Sequence, residues 1–139
     1  MREARNLAKF ASIYGGVEGR DGGSRIIVPN LYRELSTQRI IVMEWVEGTR
    51  LTANATVDAA DLPTLRLGIE CSLSQCLESG VMHADPHGGN LLKTKDGLAY
   101  LDFGMVSEVP SQVREGLLIA VAYVVAGDYA KVRVTTSLV

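Results

Sequence analysis

Asp85, Asn90 and Asp102 have the types and spacing that phosphoryl chemistry on a metal-bound nucleotide requires. They lie in His83-Ala84-Asp85-Pro86-His87-Gly88-Gly89-Asn90 and in Tyr100-Leu101-Asp102-Phe103-Gly104, so the amide follows the first acid by five residues and the second acid follows the amide by twelve. The first carboxylate can meet a hydroxyl or water that attacks a γ-phosphate and take its proton. The amide carbonyl and the second carboxylate are hard oxygens of the kind that bind Mg²⁺ and bridge it to phosphates. Two other readings compete. Asp85-Pro86 and Gly88-Gly89 are turn chemistry, and Asp102 can cap a strand. His83, Asp85 and His87 alternate, and alternate strand residues share a face, as zinc ligands can. Pro86 and the two glycines argue against a strand there. The chain has no further histidine and both cysteines lie elsewhere, so a closed zinc site lacks ligands.

The acid-to-amide spacing, with an Asp-Phe-Gly downstream, resembles the protein-kinase catalytic loop. His-Ala-Asp-Pro-His-x-Gly-Asn followed by Leu-Asp-Phe-Gly-Met is similar to the UbiB/ADCK (aarF-like) atypical kinases. Their usual loop has Pro where this chain has Gly88, a change that adds backbone freedom but touches none of the three polar residues. The resemblance implies an α+β, protein kinase-like fold, comprising the C-terminal lobe plus a remnant of the N-terminal lobe. It implies ATP and Mg²⁺ as cofactors, Asp85 as the catalytic residue, and Asn90 and Asp102 as metal ligands. Val42-Met43-Glu44-Trp45-Val46-Glu47-Gly48 resembles a kinase hinge, with Glu44, Trp45 and Val46 framing the adenine edge and Met43 at the back of the pocket. On that stretch alone, an ordinary strand ending at Gly48 serves equally well. His83 is expected to pack behind the loop, and His87 receives no catalytic role.

The supporting elements follow from periodicity and punctuation. Leu7, Phe10, Ala11 and Tyr14 put a helix over 2–14, stopped by Gly15-Gly16. Residues 15–25 form a glycine-rich connector without the pattern of a phosphate cradle. Residues 26–30 and 39–46 read as strands, with 32–36 as a further one. Asp61 is placed to cap a helix over 63–79, with Pro63 in its first turn, an apolar stripe of Leu65, Ile69, Leu73, Cys76 and Leu77, and Gly80 at its end. Residues 91–93 and 98–101 form a hairpin around Lys95-Asp96-Gly97, with Asn90 at one root and Asp102 at the other. A helix over 111–126 carries the run LLIAVAYVVA, too short to span a bilayer and expected to be buried. A further element begins at 128. Residues 1–48 are assigned to a partial N-lobe and 49–139 to a partial C-lobe.

The chain has 139 residues, 47% hydrophobic content and a net charge of −2. Its mean hydropathy is +0.12. This is a globular composition, and no basic excess points to nucleic acid. Cys71 and Cys76 read as small core residues, not as a disulfide framework. The N-terminus has no apolar signal-peptide core. A two-lobed kinase fold needs roughly twice a domain of about 100–150 residues, so a fragment, inactive alone, is expected. A V-A-I-K-like lysine, a nucleotide-covering loop and the family's K-x-G-Q segment are not in the sequence, while Glu3 resembles the glutamate that pairs with that lysine.

The resemblance implies an ATP-dependent kinase or ATPase acting in quinone or prenyl-lipid synthesis, with nucleotide, prenyl lipid or quinone and a membrane surface as partners. Glu34-Leu35-Ser36-Thr37 and Gly68-Ile69-Glu70-Cys71-Ser72-Leu73 look most like plant, algal or cyanobacterial members, which implies a plastid over a mitochondrion, or a bacterial membrane. Two alternatives remain open: a nucleotide-binding pseudokinase scaffold of a lipid-synthesis complex, and a small-molecule phosphotransferase of the aminoglycoside or choline type. Pro86 and the intact Asp102-Phe103-Gly104 favour the first reading.

Overall fold

A computed structural model of the chain describes residues 2–19, 22–23, 25–51 and 58–136, with backbone alone for 133–136. The alanine-rich stretch over 52–57 and the end of the element that begins at 128 lie outside the described residues.

Helix α1 (Arg2–Tyr14) buries Ala4, Leu7, Phe10 and Tyr14, the spacing of one helical face. Ala11, expected on that face, is only half-buried. The helix ends as Gly15 N–H donates to the Ala11 carbonyl at 2.9 Å. Strand β1 (Arg25–Ile27) follows, and then a chain that differs from the expected strands. Residues 33–35 form a 3-10 turn, and the stretch 39–46 joins the preceding segment through a single bridge, Leu31 to Met43. Ser36 explains the irregularity. Its Oγ accepts from Val42 N–H at 3.0 Å and donates to the Tyr32 carbonyl at 2.8 Å, so a side chain stands where a ladder partner would be.

Strand β2 (Thr49–Arg50) precedes helix α2 (Leu62–Ser74), which continues as a π turn over Gln75–Ser79 and closes at Gly80 in the left-handed region (φ 71°). The helix is where expected, but its buried face is another one. Thr64, Leu67, Cys71 and Gln75 point inward, while Ile69 and Leu73 of the expected stripe are 62% and 53% exposed. Asp61 does not cap α2 with its side chain. It closes a capping box with Asp58 over the preceding 3-10 turn and binds Lys93 Nζ at 2.5 Å. That contact holds the Asp61 carboxyl below its ordinary range.

Strand β3 (Val81–His83) leads into the Asp85 loop, and strands β4 (Leu91–Thr94) and β5 (Gly97–Tyr100) form the expected hairpin, with register from Leu91–Tyr100 to Thr94–Gly97. The sheet order is β1-β5-β4-β2, with β1 parallel to β5 and β2 antiparallel to β4. Strand β6 (Val106–Glu108) pairs antiparallel with β3 in a separate ribbon.

The core lies where α1, α2 and the hairpin meet: Leu7, Phe10, Tyr14, Ile26, Leu67, Cys71, Leu98, Tyr100 and Phe103 are its main members. Phe10 is its centre, with ring centroids 5.2 Å from Tyr100 and 5.5 Å from Phe103, tilted contacts that add to the area they bury. Helix α3 (Ser111–Val125) has no buried residue, which corrects the expectation of a buried helix. It does not lie along α2. It meets the π turn, where Arg114 Nη1 donates to the Glu78 carbonyl, and it packs against α4 (Tyr129–Thr136). Among the described residues no helix is long and apolar enough to cross a membrane.

Candidate functional site

The loop between β3 and β4 is built by its own polar groups. The Asn90 N–H donates to the His87 carbonyl at 2.8 Å, closing a four-residue turn with Gly88 and Gly89 at its centre. Neither glycine has a positive φ. Gly88 thus sits at the first corner of this turn without using the left-handed backbone region that glycine opens. Asn90 Nδ2 donates to the Asp85 carbonyl at 3.3 Å, which commits the amide nitrogen to the loop and leaves the amide oxygen for other partners.

The Leu101 N–H donates to the Asn90 carbonyl at 3.0 Å, so the hairpin sets Asp102 beside Asn90. Asp102 is exposed. Its Oδ1 accepts from Gly104 N–H at 2.8 Å, leaving Oδ2 available. The next residue, Phe103, is fully buried, and its carbonyl accepts from Asn6 Nδ2 of α1 at 2.8 Å.

His83 ties the two motifs together. Its Nε2 donates to the Asp102 carbonyl, and its Nδ1 accepts from Asp85 N–H at 3.3 Å. The ring is 3% exposed and stands between Tyr100 and Phe103. Both ring nitrogens are thus committed to backbone, which removes His83 from any zinc site. Gln75, a residue that sequence reasoning missed, supports it from the π turn. Its Oε1 accepts from His83 N–H at 2.8 Å while its Nε2 faces Cys71 Sγ at 3.2 Å. No motif marks it in the sequence, because Thr64 and Gln75 make this helical face half polar.

The hinge-like stretch reaches the loop through a strap. β2 pairs with β4, and Leu51 N–H donates to the Leu91 carbonyl at 3.2 Å. A Cβ on Gly48 would stand 2.6 Å from the Lys93 carbonyl oxygen, so only glycine permits this approach. The result is a cavity of about 540 Å³, lined by Met43, Glu44, Trp45 and Val46 on one side and Leu92 and Leu101 on the other. The four expected residues are therefore brought together, while Leu92, Leu101 and Arg50, also on the cavity wall, were missed. The Glu44 carboxylate is taken by Asn30, from Nδ2 at 2.7 Å and from N–H at 3.1 Å. Trp45 is 87% exposed. A larger cavity of about 800 Å³ lies between α1 and α2, lined by Ile13, Tyr14, Leu67, Cys71 and Leu77 among others, and none of the three polar residues reaches it.

Among the described residues no three His, Cys, Asp or Glu side chains converge as a metal cage. One free carboxylate oxygen and one amide oxygen instead match how Mg²⁺ is held when nucleotide phosphates and water complete its shell.

A loop acid, an amide at the loop's end and an Asp-Phe-Gly just past the facing strand, beside an extended strap, define a kinase-like protein. Residues 1–136 match the ABC1 atypical kinase-like domain, and the chain belongs to that family. It is 42% identical over 130 residues to an aarF domain-containing protein kinase of Arabidopsis thaliana described as uncharacterized and chloroplastic, covering 93% of this chain and 17% of that protein. It is 41% identical over 133 residues to the chloroplastic ACTIVITY OF BC1 COMPLEX KINASE 3 of the same plant, covering 93% and 18%. A Synechocystis protein described as uncharacterized is 44% identical over 132 residues, covering 92% and 18%. The chain thus spans less than a fifth of the length of these relatives. Among solved structures it is similar to Mycobacterium tuberculosis Rv3197, in a complex with erythromycin. The TM-score is 0.65 and the identity 26%, with 96% of this chain and 33% of that one covered.

Proposed function

We propose that this chain carries the catalytic-loop portion of an ATP-dependent, Mg²⁺-using kinase or ATPase, acting in quinone or prenyl-lipid synthesis at a plastid or cyanobacterial membrane surface. The observation that carries the proposal is the Asn90–Leu101 backbone bond. It brings the backbones that carry the Asn90 amide and the Asp102 carboxylate together at the end of the Asp85 loop, next to an apolar cavity walled by an extended strap.

In this reading the strap from Met43 to Val46 offers backbone groups to adenine, and Leu92 and Leu101 pack on its face. Asp102 Oδ2 and the Asn90 amide oxygen hold Mg²⁺, whose charge neutralises the β- and γ-phosphates when bound. Asp85 orients the acceptor hydroxyl or water and takes its proton. His83 fixes the distance between the Asp85 and Asp102 backbones. The chloroplastic and cyanobacterial relatives support the plastid or cyanobacterial setting. The lipid class follows from the family alone.

Nucleotide titration with and without Mg²⁺ tests this in a full-length context. Asp102→Asn is expected to weaken Mg²⁺-nucleotide affinity and to leave Mg²⁺-free affinity unchanged, and Asn90→Ala should do the same to a smaller degree. Equal Mg²⁺ enhancement in wild type and Asp102→Asn would overturn the metal assignment.

A further inference from the structure

We propose that His87 is a positioning residue for Asp85, its imidazole steering one carboxylate oxygen so that the other faces the acceptor. The proposal rests on the catalytic reading of Asp85. His87 Nδ1 accepts from Gly89 N–H at 3.1 Å, which makes Nδ1 the acceptor nitrogen and puts the proton of the neutral ring on Nε2. That Nε2 stands 3.7 Å from Asp85 Oδ2. The gap exceeds a hydrogen bond, but catalytic contacts of this kind tighten once substrate arrives.

Three further observations fit a built arrangement. A Cβ on Gly89 would stand 2.9 Å from both Cε1 and Nδ1 of His87, so the ring rests against a residue that has no side chain to displace it. The His87 carbonyl and the Asp85 carbonyl are both held by Asn90, through N–H at 2.8 Å and Nδ2 at 3.3 Å, which fixes the two residues on one frame. Among the described residues no other basic side chain lies within 4.0 Å of the Asp85 carboxylate. Their side chains are 56% and 40% exposed, so the contact adds little to stability, and its value lies in orientation. In the transfer, the acceptor O–H proton passes to the free oxygen of Asp85, the acceptor oxygen bonds to the γ-phosphorus as that phosphorus loses its bond to the bridging oxygen and the nucleoside diphosphate departs, and the His87 Nε2 proton stays in place.

The test uses His87→Ala, His87→Gln and Asp85→Asn in the full-length protein, with steady-state turnover, nucleotide affinity and unfolding midpoint as readouts. His87→Ala is expected to lower kcat by roughly ten- to hundredfold, the value of one hydrogen bond to a charged group. Nucleotide affinity and the unfolding midpoint should stay at wild-type level. His87→Gln, whose amide N–H can occupy the place of Nε2–H, should recover most of the loss. Wild-type turnover in His87→Ala while Asp85→Asn is inactive would overturn the role of His87 and spare that of Asp85. A Gln variant no better than Ala would overturn it as well. Wild-type turnover in Asp85→Asn would remove the catalytic reading itself, and the role of His87 with it.

Discussion

Two histidines four residues apart do opposite work. His83 is buried with both ring nitrogens bonded to backbone, while His87 is exposed and faces a carboxylate. His83→Ala would open a cavity among Phe10, Tyr100 and Phe103 and leave the Asp102 carbonyl without its donor. It is expected to cost about 2–5 kcal/mol by denaturant unfolding, in the range of large core truncations. The placement of His83 behind the loop was legible in the sequence through the motif it belongs to. The role of Gln75 was not. A glutamine in a helix carries no motif, and its value depends on the π turn that aims it at His83 N–H.

At the scale of elements, α1 and the β4–β5 hairpin were legible because each has one dominant signal, a single apolar stripe or two apolar runs about a short turn. Helix α2 was misphased because apolar residues occupy two faces. Leu65, Ile69 and Leu73 form a good stripe, yet Thr64, Leu67, Cys71 and Gln75 face the core. Polar Thr64 and Gln75 hid the true face. The two faces make a sharp contrast for mutation. Leu67→Ala is expected to cost about 2–5 kcal/mol, and Leu73→Ala to fall within about 0.5 kcal/mol of wild type. The stretch 39–46 failed as a strand for a different reason: its β-branched residues suit a ladder, but the Ser36 hydroxyl occupies the partner position.

Across the whole molecule, the core of α1, α2 and the hairpin contains ionisable groups kept neutral. Burial pushes the Cys71 thiol above its ordinary 9.0 and the Tyr14 phenol above its ordinary 10.0, and it raises Tyr100 further. In each case the native state holds its proton more tightly than the unfolded chain does. The stability from these groups is complete below their ordinary values and is lost as pH rises through the raised ones. The urea midpoint should therefore fall from neutral pH to about pH 10, with Cys71→Ala flattening the first part of the decline. A midpoint that rose over this range would contradict the burial of these groups. The family and the kinase-like fold were both legible from one loop and one strand end. The strap that carries Met43 to Val46 onto the hairpin was not, because Gly48 shows its close approach to Lys93 only in three dimensions.

The central claim is that Asp85 serves the transfer step while Asn90 and Asp102 serve the metal-bound nucleotide. The most direct measurement takes both nucleotide affinity and turnover on Asp85→Asn, in a full-length context and beside Asp102→Asn. The expected result for Asp85→Asn is near wild-type affinity with turnover reduced by roughly 10²–10⁴, the range for a general acid–base group. Loss of nucleotide binding in Asp85→Asn, with binding intact in Asp102→Asn, would contradict it.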